Sequence, residues 1–387
     1  MATEIRSVPF IALGGLFEAD DAAAAQRVIA AATEEGGDFF PLPEENDFQT
    51  ALAGHEGAAH AVTVNACGTA LDLCMMALGI GPGDEVITTP LTFICTATCA
   101  SARGARIVFA DVDPHTLNLD PQKVRAKITD RTRAIIPVHF AGLPVDIDAF
   151  DVITQETGVP VIYDAAHAVG AKRADRPIGN AGKASCYSFQ SNKNMTTLGE
   201  GGAVTTNDPE FAEQVRRRKT FGYVYGGPSP RVVAQGFNYR MTKPQLAVGL
   251  TQLAKSGRVN GLKLDAMKKL HAQLGGVEGI ILPTGIEDGH AAHLYVIQLD
   301  TARVGFDRDT FRTHLKDHYG VGTVVHYPAV WSWEVFQDGE IDFDRSDCTI
   351  ASQACKQVVS LPVFPGSTDA DLEYIARAVT GSVEDLG

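Results

Sequence analysis

"SFQSNKNMTTLGEGG" (Ser188–Gly202) carries a lone lysine, Lys193, among small polar residues, and three glycines follow it within nine positions. A core strand would not tolerate that run, and a plain surface loop has no need of so many glycines. Glycine costs ordering entropy, so such a cluster marks a tight backbone path or a close approach to something bound. Lys193 is therefore either an ordinary solvated charge or a nucleophile held on a shaped loop. The flanking chain has to decide between them.

Upstream of this stretch, from about Ala59, apolar β-rich runs alternate with helical patterns. "HAVTVNA" reads as a strand, "GTALDLCMMALGI" as a helix and "DEVITTP" as the next strand. "TATCASARGA" is helical, "RIVFADV" and "RAIIPVHF" are strands, "DIDAFDVITQETG" is a helix, and "VPVIYDAAHAVG" is a strand running into a turn. That rhythm predicts an α/β domain with a mostly parallel sheet flanked by helices. Downstream, "NDPEFAEQVRRRKTFG" is followed by one long helical stretch, "KPQLAVGLTQLAKSGRVNGLKLDAMKKLHAQL". After it come a strand, "HLYVIQLD", a helix around "RDTFRTHLKDHYG" and a closing helix capped by Thr368 with Asp371 three positions on. These place a large domain over residues 1–250 and a smaller C-terminal α/β domain over 251–387.

Composition narrows the partners. With 45% hydrophobic and 21% charged residues the chain is globular, and a net charge of −14 argues against nucleic acid or an anionic membrane as a bulk partner. The opening "MATEIRSVPF" carries an early Glu and no leader pattern, and no run of eighteen apolar residues occurs. Seven cysteines without a CxxC pair read as free thiols of a reduced, cytoplasmic protein, and no metal is expected. Other signals fail on spacing. "GIGPGDE" follows a helix and precedes a strand, the reverse of a dinucleotide fingerprint, which removes a nicotinamide oxidoreductase. His55 and His60 lie five apart, off a common helix face. The basic run Arg216 to Lys219 closes a helix whose first turn is acidic, where positive charge complements the dipole.

Three segments fit one chemistry. In "VNACGTALDL" a strand enters a helix through a small-residue turn, so Gly68 and Thr69 offer backbone N–H groups at a helix N-terminus, an arrangement that binds phosphate, although many α/β turns look like this. In "VPVIYDAAHAVG" a buried strand ends at Asp164 with His167 three residues on. A carboxylate there faces the region where such sheets bind ligands; the plain reading is a turn cap beside a core histidine. Lys193 supplies an amine that forms Schiff bases once desolvation lowers its pKa from about 10.4. Pyridoxal phosphate needs all three: a lysine for its aldehyde, a carboxylate for its ring nitrogen and donors for its phosphate.

With these residues in place, nearly the whole chain resembles the DegT/DnrJ/EryC1/StrS family of sugar aminotransferases, of fold type I pyridoxal-phosphate architecture. The likeness runs through "GTALDL", "GDEVITTPLTFICTATCA", "AIIPVHFAGLPVDID", "YDAAHAVGA", "SFQSNKNMTTLGEGGAVTTND", "GFNYRMTKPQLAVGLTQL" and "SLPVFPGSTDADLEYI". The resemblance implies that Lys193 is the Schiff-base lysine and proton carrier, Asp164 the partner of the ring nitrogen and His167 the residue packed over the ring. It implies that Phe93 lies near the other face, that Gly68, Thr69 and Ser188 hold the phosphate, and that Asn238 reaches the phosphate of a neighbouring subunit in a homodimer with shared sites. Arg240, His326 and Tyr327 fall near the substrate. Two departures stand out: "FFPLPEENDF" (residues 39–48) replaces the usual glycine-led entry, and "SFQSNK" differs from the commoner "SFHPTK".

The resemblance implies transfer of an amino group from L-glutamate to a keto sugar, nucleotide-linked and of the 4-keto-6-deoxy type, with pyridoxamine phosphate as the intermediate cofactor form. The alternatives are a cyclitol aminotransferase acting on a scyllo-inosose-type ketone and a non-catalytic regulator that binds an amino sugar on the same fold. A sugar 3-dehydratase of this family would replace Lys193 with histidine.

Overall fold

Alternate residues of the central strands enter two different cores, and that alternation dictates a sheet covered on both faces. Val62, Val64, Ile136, Ile162, Cys186 and Val204 pack into one, while Ala61, Ile135, Tyr163, Tyr187 and Ala203 pack into the other. The computed structural model describes residues 6–11, 13–224, 229, 231–287 and 289–387. Residues 1–5, part of the stretch read above for a leader, lie outside them.

The large sheet uses β1 (His60–Val64), β2 (Glu85–Thr88), β3 (Arg106–Phe109), β4 (Thr132–Ile136), β5 (Ile162–Asp164), β6 (Ala184–Ser188) and β7 (Gly202–Thr206). Their spatial order is β1-β7-β6-β5-β4-β2-β3, the two halves joined by parallel bridges Ile135↔Val161 and Val138↔Asp164. Neighbours are parallel except β7, which runs antiparallel to both β1 and β6. The sequence reading did not resolve β6 and β7 as a pair flanking the lysine stretch.

Helix α1 (Ala19–Ala31) and helix α2 (Glu44–His55) precede the sheet, and helix α3 (Cys67–Leu78) follows β1 and packs Leu71, Leu73, Cys74 and Met75 into the first core. Helix α4 (Pro209–Arg218) differs in one respect from the expected basic helix end. Arg216 and Arg217 pair with Glu213, but Lys219 is buried and bonds Glu45 at 2.6 Å, tying the helix end to α2. Helix α5 (Lys243–Leu274) has both ends where the sequence set them, opened by a capping box between Thr242 and Gln245 with a proline in its first turn. Its Leu246 and Leu253 enter the second core, and its Met267, Leu270 and Leu274 enter a third. A boundary at residue 250 cuts this helix. Gly249 has a packing reason: a Cβ there would sit 2.8 Å from the Phe48 ring of α2.

The third core belongs to the C-terminal part. There β8 (Tyr295–Leu299) pairs antiparallel with β9 (Val358–Leu361), and Phe311 and Leu315 of helix α6 (Arg308–Tyr319) and Leu372 and Val379 of helix α7 (Asp369–Leu386) cover them. The Thr368–Asp371 capping box forms as the sequence predicts.

Candidate active site

Three carboxyl-end structures of the sheet converge. β5 ends at Asp164, β6 ends at Ser188, and the turn after β1 opens α3, whose N-terminus no side chain caps. Parallel pairing of Asp164 with Cys186 fixes the carboxylate two residues from Ser188 across the β5–β6 register. Ser188 sits opposite Gly202, which sits opposite Val64.

The glycines after Lys193 have a definite cause. A Cβ on Gly202 would lie 2.6 Å from the Ala66 carbonyl carbon and 2.7 Å from the Cys67 nitrogen, and one on Gly201 would lie 2.0 Å from Thr197 Oγ1. They let β7 press against the start of α3, a backbone-on-backbone approach. Of the two readings the sequence allowed, a tight backbone path is the one these distances show: the first neighbour of the glycines is the protein's own chain. Gly14 and Gly15 do the same from outside, a Cβ on either falling within 2.3 Å of the Asn192 or Asn194 carbonyl oxygens, and Gly14 N–H donates to Ser191 O at 3.0 Å.

Asp164 is buried. It accepts from Thr96 Oγ1 at 2.7 Å and from Ala166 N–H at 3.0 Å, with Cys67 Sγ at 3.9 Å. Burial raises its pKa against these bonds and against the Lys193 charge, so the carboxylate favours a cationic partner. The Lys193 amine makes no hydrogen bond among the described residues. Burial lowers its pKa, opposed by the charge of Asp164. That shift favours the neutral amine, the form a nucleophile requires.

His167 Nε2 meets Tyr327 Oη at 3.0 Å, and its ring lies 4.3 Å from that of His293. Burial holds it neutral, well below the usual histidine range, and Nδ1 has no partner. Phe93 stands edge-on to Tyr327 at 6.3 Å and is exposed, forming the outer lip. His326 bonds Ser360 at 2.8 Å and is pushed down to about 4 by burial and by the Lys193 charge. The structure therefore gathers Gly68, Thr69, Phe93, Asp164, His167, Ser188, Lys193, His326 and Tyr327. It sets Asn238 and Arg240 elsewhere, in a surface groove with Phe39, Phe40 and Pro41, and Arg240 lies over the Phe221 ring at 5.4 Å.

Sequence reasoning missed four neighbours. Thr96 lies within the quoted "TFICT" but carries no local mark of its bond to Asp164. His293, Asn194 and Lys263 converge behind Lys193: Lys263 Nζ donates to Asn194 Oδ1 at 2.8 Å, and His293 Nδ1 lies 3.3 Å from the same oxygen. Among the described residues no group of three or more metal-ligand side chains occurs. An uncapped helix start, an unpartnered amine, an orphaned imidazole nitrogen and a buried carboxylate together fit a ligand that carries an anion, a carbonyl and a basic ring nitrogen.

Comparison with known proteins points the same way. The profile described as the DegT/DnrJ/EryC1/StrS aminotransferase family matches residues 20–380. The Bacillus subtilis (strain 168) spore coat polysaccharide biosynthesis protein SpsC is 39% identical over 370 residues, covering 91% of this chain and 92% of that protein. Among solved structures, S. venezuelae DesV superposes with a TM-score of 0.86 at 33% identity over 95% of both chains. NtdA from Bacillus subtilis with bound cofactor PMP gives 0.87 at 26% identity, covering 99% of this chain and 86% of that one. DesI in the presence of its TDP-sugar product gives 0.86 at 27% identity over 98% and 94%.

Proposed function

The chain belongs to the DegT/DnrJ/EryC1/StrS aminotransferase family and is a pyridoxal-phosphate-dependent aminotransferase of fold type I, and from that premise we propose that it passes the amino group of L-glutamate to the ketone of a nucleotide-linked 4-keto-6-deoxy sugar. The polysaccharide role in the name of SpsC and the TDP-sugar in the DesI structure support the substrate class. The observation that carries the reading is the unpartnered Lys193 amine set within charge reach of the buried Asp164 carboxylate.

When bound, pyridoxal phosphate supplies the carbonyl that takes up the amino group and the electron sink that stabilises the carbanion. The chain's own residues do the rest. Lys193 Nζ would hold the cofactor covalently, and its amine is the group that would carry the proton of the reacting carbon. Asp164 keeps a proton on the ring nitrogen, and Thr96 and Ala166 N–H orient that carboxylate. His167, locked by Tyr327 and His293, packs over the ring, and Phe93 faces it from the outer lip. The N–H groups of Gly68 and Thr69 with Ser188 Oγ bind the phosphate. His326 and Tyr327 border the substrate space. Asn238 and Arg240 serve the site of a second copy in a homodimer, and the exposed Phe39 and Phe40 beside them form part of the surface that copy covers. The division into a cofactor domain over 1–250 and a smaller domain over 251–387, and a cytoplasmic location, belong to the same proposal. No helix of the described residues is long and apolar enough to cross a membrane.

Borohydride reduction of the yellow protein should fix the cofactor to the peptide containing Lys193; labelling of another lysine overturns the assignment. A panel of nucleotide-linked 4-keto and 3-keto sugars and inososes, each with glutamate and with glutamine, tests the substrate. Turnover confined to inososes would replace the sugar by a cyclitol, and no turnover with any pair would leave an amino-sugar-binding protein.

A further inference from the structure

Helix α5 sends one lysine into the interior behind the site. Lys263 is 2% exposed, and no carboxylate among the described residues stands within ion-pair distance of it. Its ammonium donates to Asn194 Oδ1 at 2.8 Å, to the His293 carbonyl at 2.9 Å and to the Gly14 carbonyl at 3.4 Å. An ammonium has three donors and no acceptor, so three acceptors match its charged form and suit a neutral amine poorly. Those acceptors come from three separate stretches: the loop immediately after Lys193, the segment leading into β8, and the N-terminal segment that lies on the lysine loop. Asn194 is further pinned by Asn260 Oδ1 at 2.8 Å and Ala291 O at 2.5 Å. The backbone next to Lys193 is thus held at one point by a buried cation.

Lys263, buried, and Lys193, half-buried, lie within charge reach of each other and disfavour each other's protons. Burial and then the Lys193 charge bring Lys263 down to about 7, and burial lowers Lys193. The hydrogen bonds differ: Lys263 has three acceptors for its protons, and Lys193 has none. The other groups facing the pair are known. His167, His290 and His293 are neutral by burial and feel the Lys263 charge, and His326 is neutral and feels Lys193. Asp164 and Glu200, with the thiols of Cys67 and Cys95, act on Lys193 in the opposite sense.

We propose that Lys263 is a positioning residue for Lys193: through Asn194 it fixes the lysine loop, and in its protonated form, with no counterion among the described residues, it biases the Lys193 nitrogen toward its unprotonated form. This rests on Lys193 being the Schiff-base lysine. It assigns a role to a residue that touches neither cofactor nor substrate, and it gives a reason for a buried lysine that, unlike Lys255 of the same helix with Asp20 and Asp21, has no carboxylate among the described residues.

The test uses the holoenzyme with Lys263→Met and Lys263→Gln. Gln keeps donors for Asn194 but removes the charge, whereas Met removes both. The readout is the pH titration of the visible band, which reports the pKa of the nitrogen linking Lys193 to the cofactor, with Tm measured alongside. Both variants should raise that pKa by about one unit, and Met should also lower Tm more than Gln. A Gln variant that folds and titrates like the wild type would overturn the electrostatic role, and if Met fails to fold, Gln alone decides. Absence of a titrating band in the wild type would instead sink the Lys193 reading itself, so the two failures are distinguishable.

Discussion

The pocket at Asp164 and the groove at Asn238 are finished to different degrees. Around Asp164 one chain supplies the buried surroundings: the carboxylate is 3% exposed and bonded, and its neighbours Thr96, Cys67 and His167 are buried. At Asn238 the same chain leaves Phe40 72% and Phe39 57% exposed, with Arg240 resting on the outer ring of Phe221. Strand register builds the first, because β5 and β6 cannot shift without moving Asp164 and Ser188 together. Nothing comparable closes the second, and apolar surface rimmed by polar groups is what a partner covers. The contrast teaches that the surroundings of the buried carboxylate are built by strand pairing within the chain, whereas the groove at Asn238 stays open in it.

The sharpest way to break this contrast is complementation. Lys193→Ala and Asn238→Asp are each expected to be inactive, the second because a carboxylate would face the phosphate. Mixed and allowed to exchange, they should recover roughly a quarter of wild-type activity, since half the dimers are mixed and one of their two sites is intact. No recovery, with exchange shown independently, would place Asn238 in its own chain's site and erase the difference between the two regions.

Within the finished pocket, Asp164→Asn should lower kcat by roughly a hundredfold or more, because an amide cannot hold a proton on the ring nitrogen. Thr96→Val removes one hydrogen bond to that carboxylate and should cost roughly tenfold. Equal losses in steady-state assays would mean that Asp164 acts through its packing and not through its charge.

Acid should separate the two regions by stability. His139 is held at about 3 and His290 and His326 at about 4 by burial, with His167 and His293 also well below 6.5. A histidine whose folded pKa is depressed contributes stability above the unfolded value and loses it as pH falls from 6.5 toward the folded value. Each should cost about 1 kcal/mol by pH 5.5. Denaturant midpoints should therefore fall between pH 7 and 5.5, with loss of bound cofactor leading; a flat profile would mean these rings are already charged in the fold.

The smallest effect concerns the backbone seam. Gly202→Ala should destabilise by about 1–3 kcal/mol, because its Cβ meets the Ala66 carbonyl carbon and the Cys67 nitrogen, neither of which can rotate away. Unfolding in urea measures it, and a neutral result would show that α3 can retreat from β7.

Particular residues show where the sequence was legible. The ends of α5 were readable because Thr242, Pro244 and Gln245 announce a start and the apolar period runs unbroken to Leu274. The Thr368–Asp371 cap was readable for the same reason. Asp164 and Lys193 stood out because each breaks its surroundings, a charge at the end of an apolar strand and a lysine among glycines. Strands β6 and β7 were not readable, since "ASCYS" and "GAVTT" are short, rich in small residues and poor in the apolar alternation that marks a strand, and take their extended form from pairing with β5 and β1. Lys263 was invisible because nothing local distinguishes it from Lys268 and Lys269 on the same helix; only the fold decides which one faces inward. Lys219 was legible only as part of a basic helix end, because nothing local marks its bond to Glu45.

The segment that lies over the lysine loop has a consequence in the order of synthesis. Val8 exchanges backbone hydrogen bonds with Gly320 and Gly322, and Gly14 bonds Ser191 and Lys263, so this segment is made well before any of its partners. Those opening residues must wait, unpaired, while the sheet assembles without them, because contacts so distant along the chain form late. The lysine loop is thus covered by a segment made well before it, which is tied down on its other side only once Gly320 and Gly322 have been added.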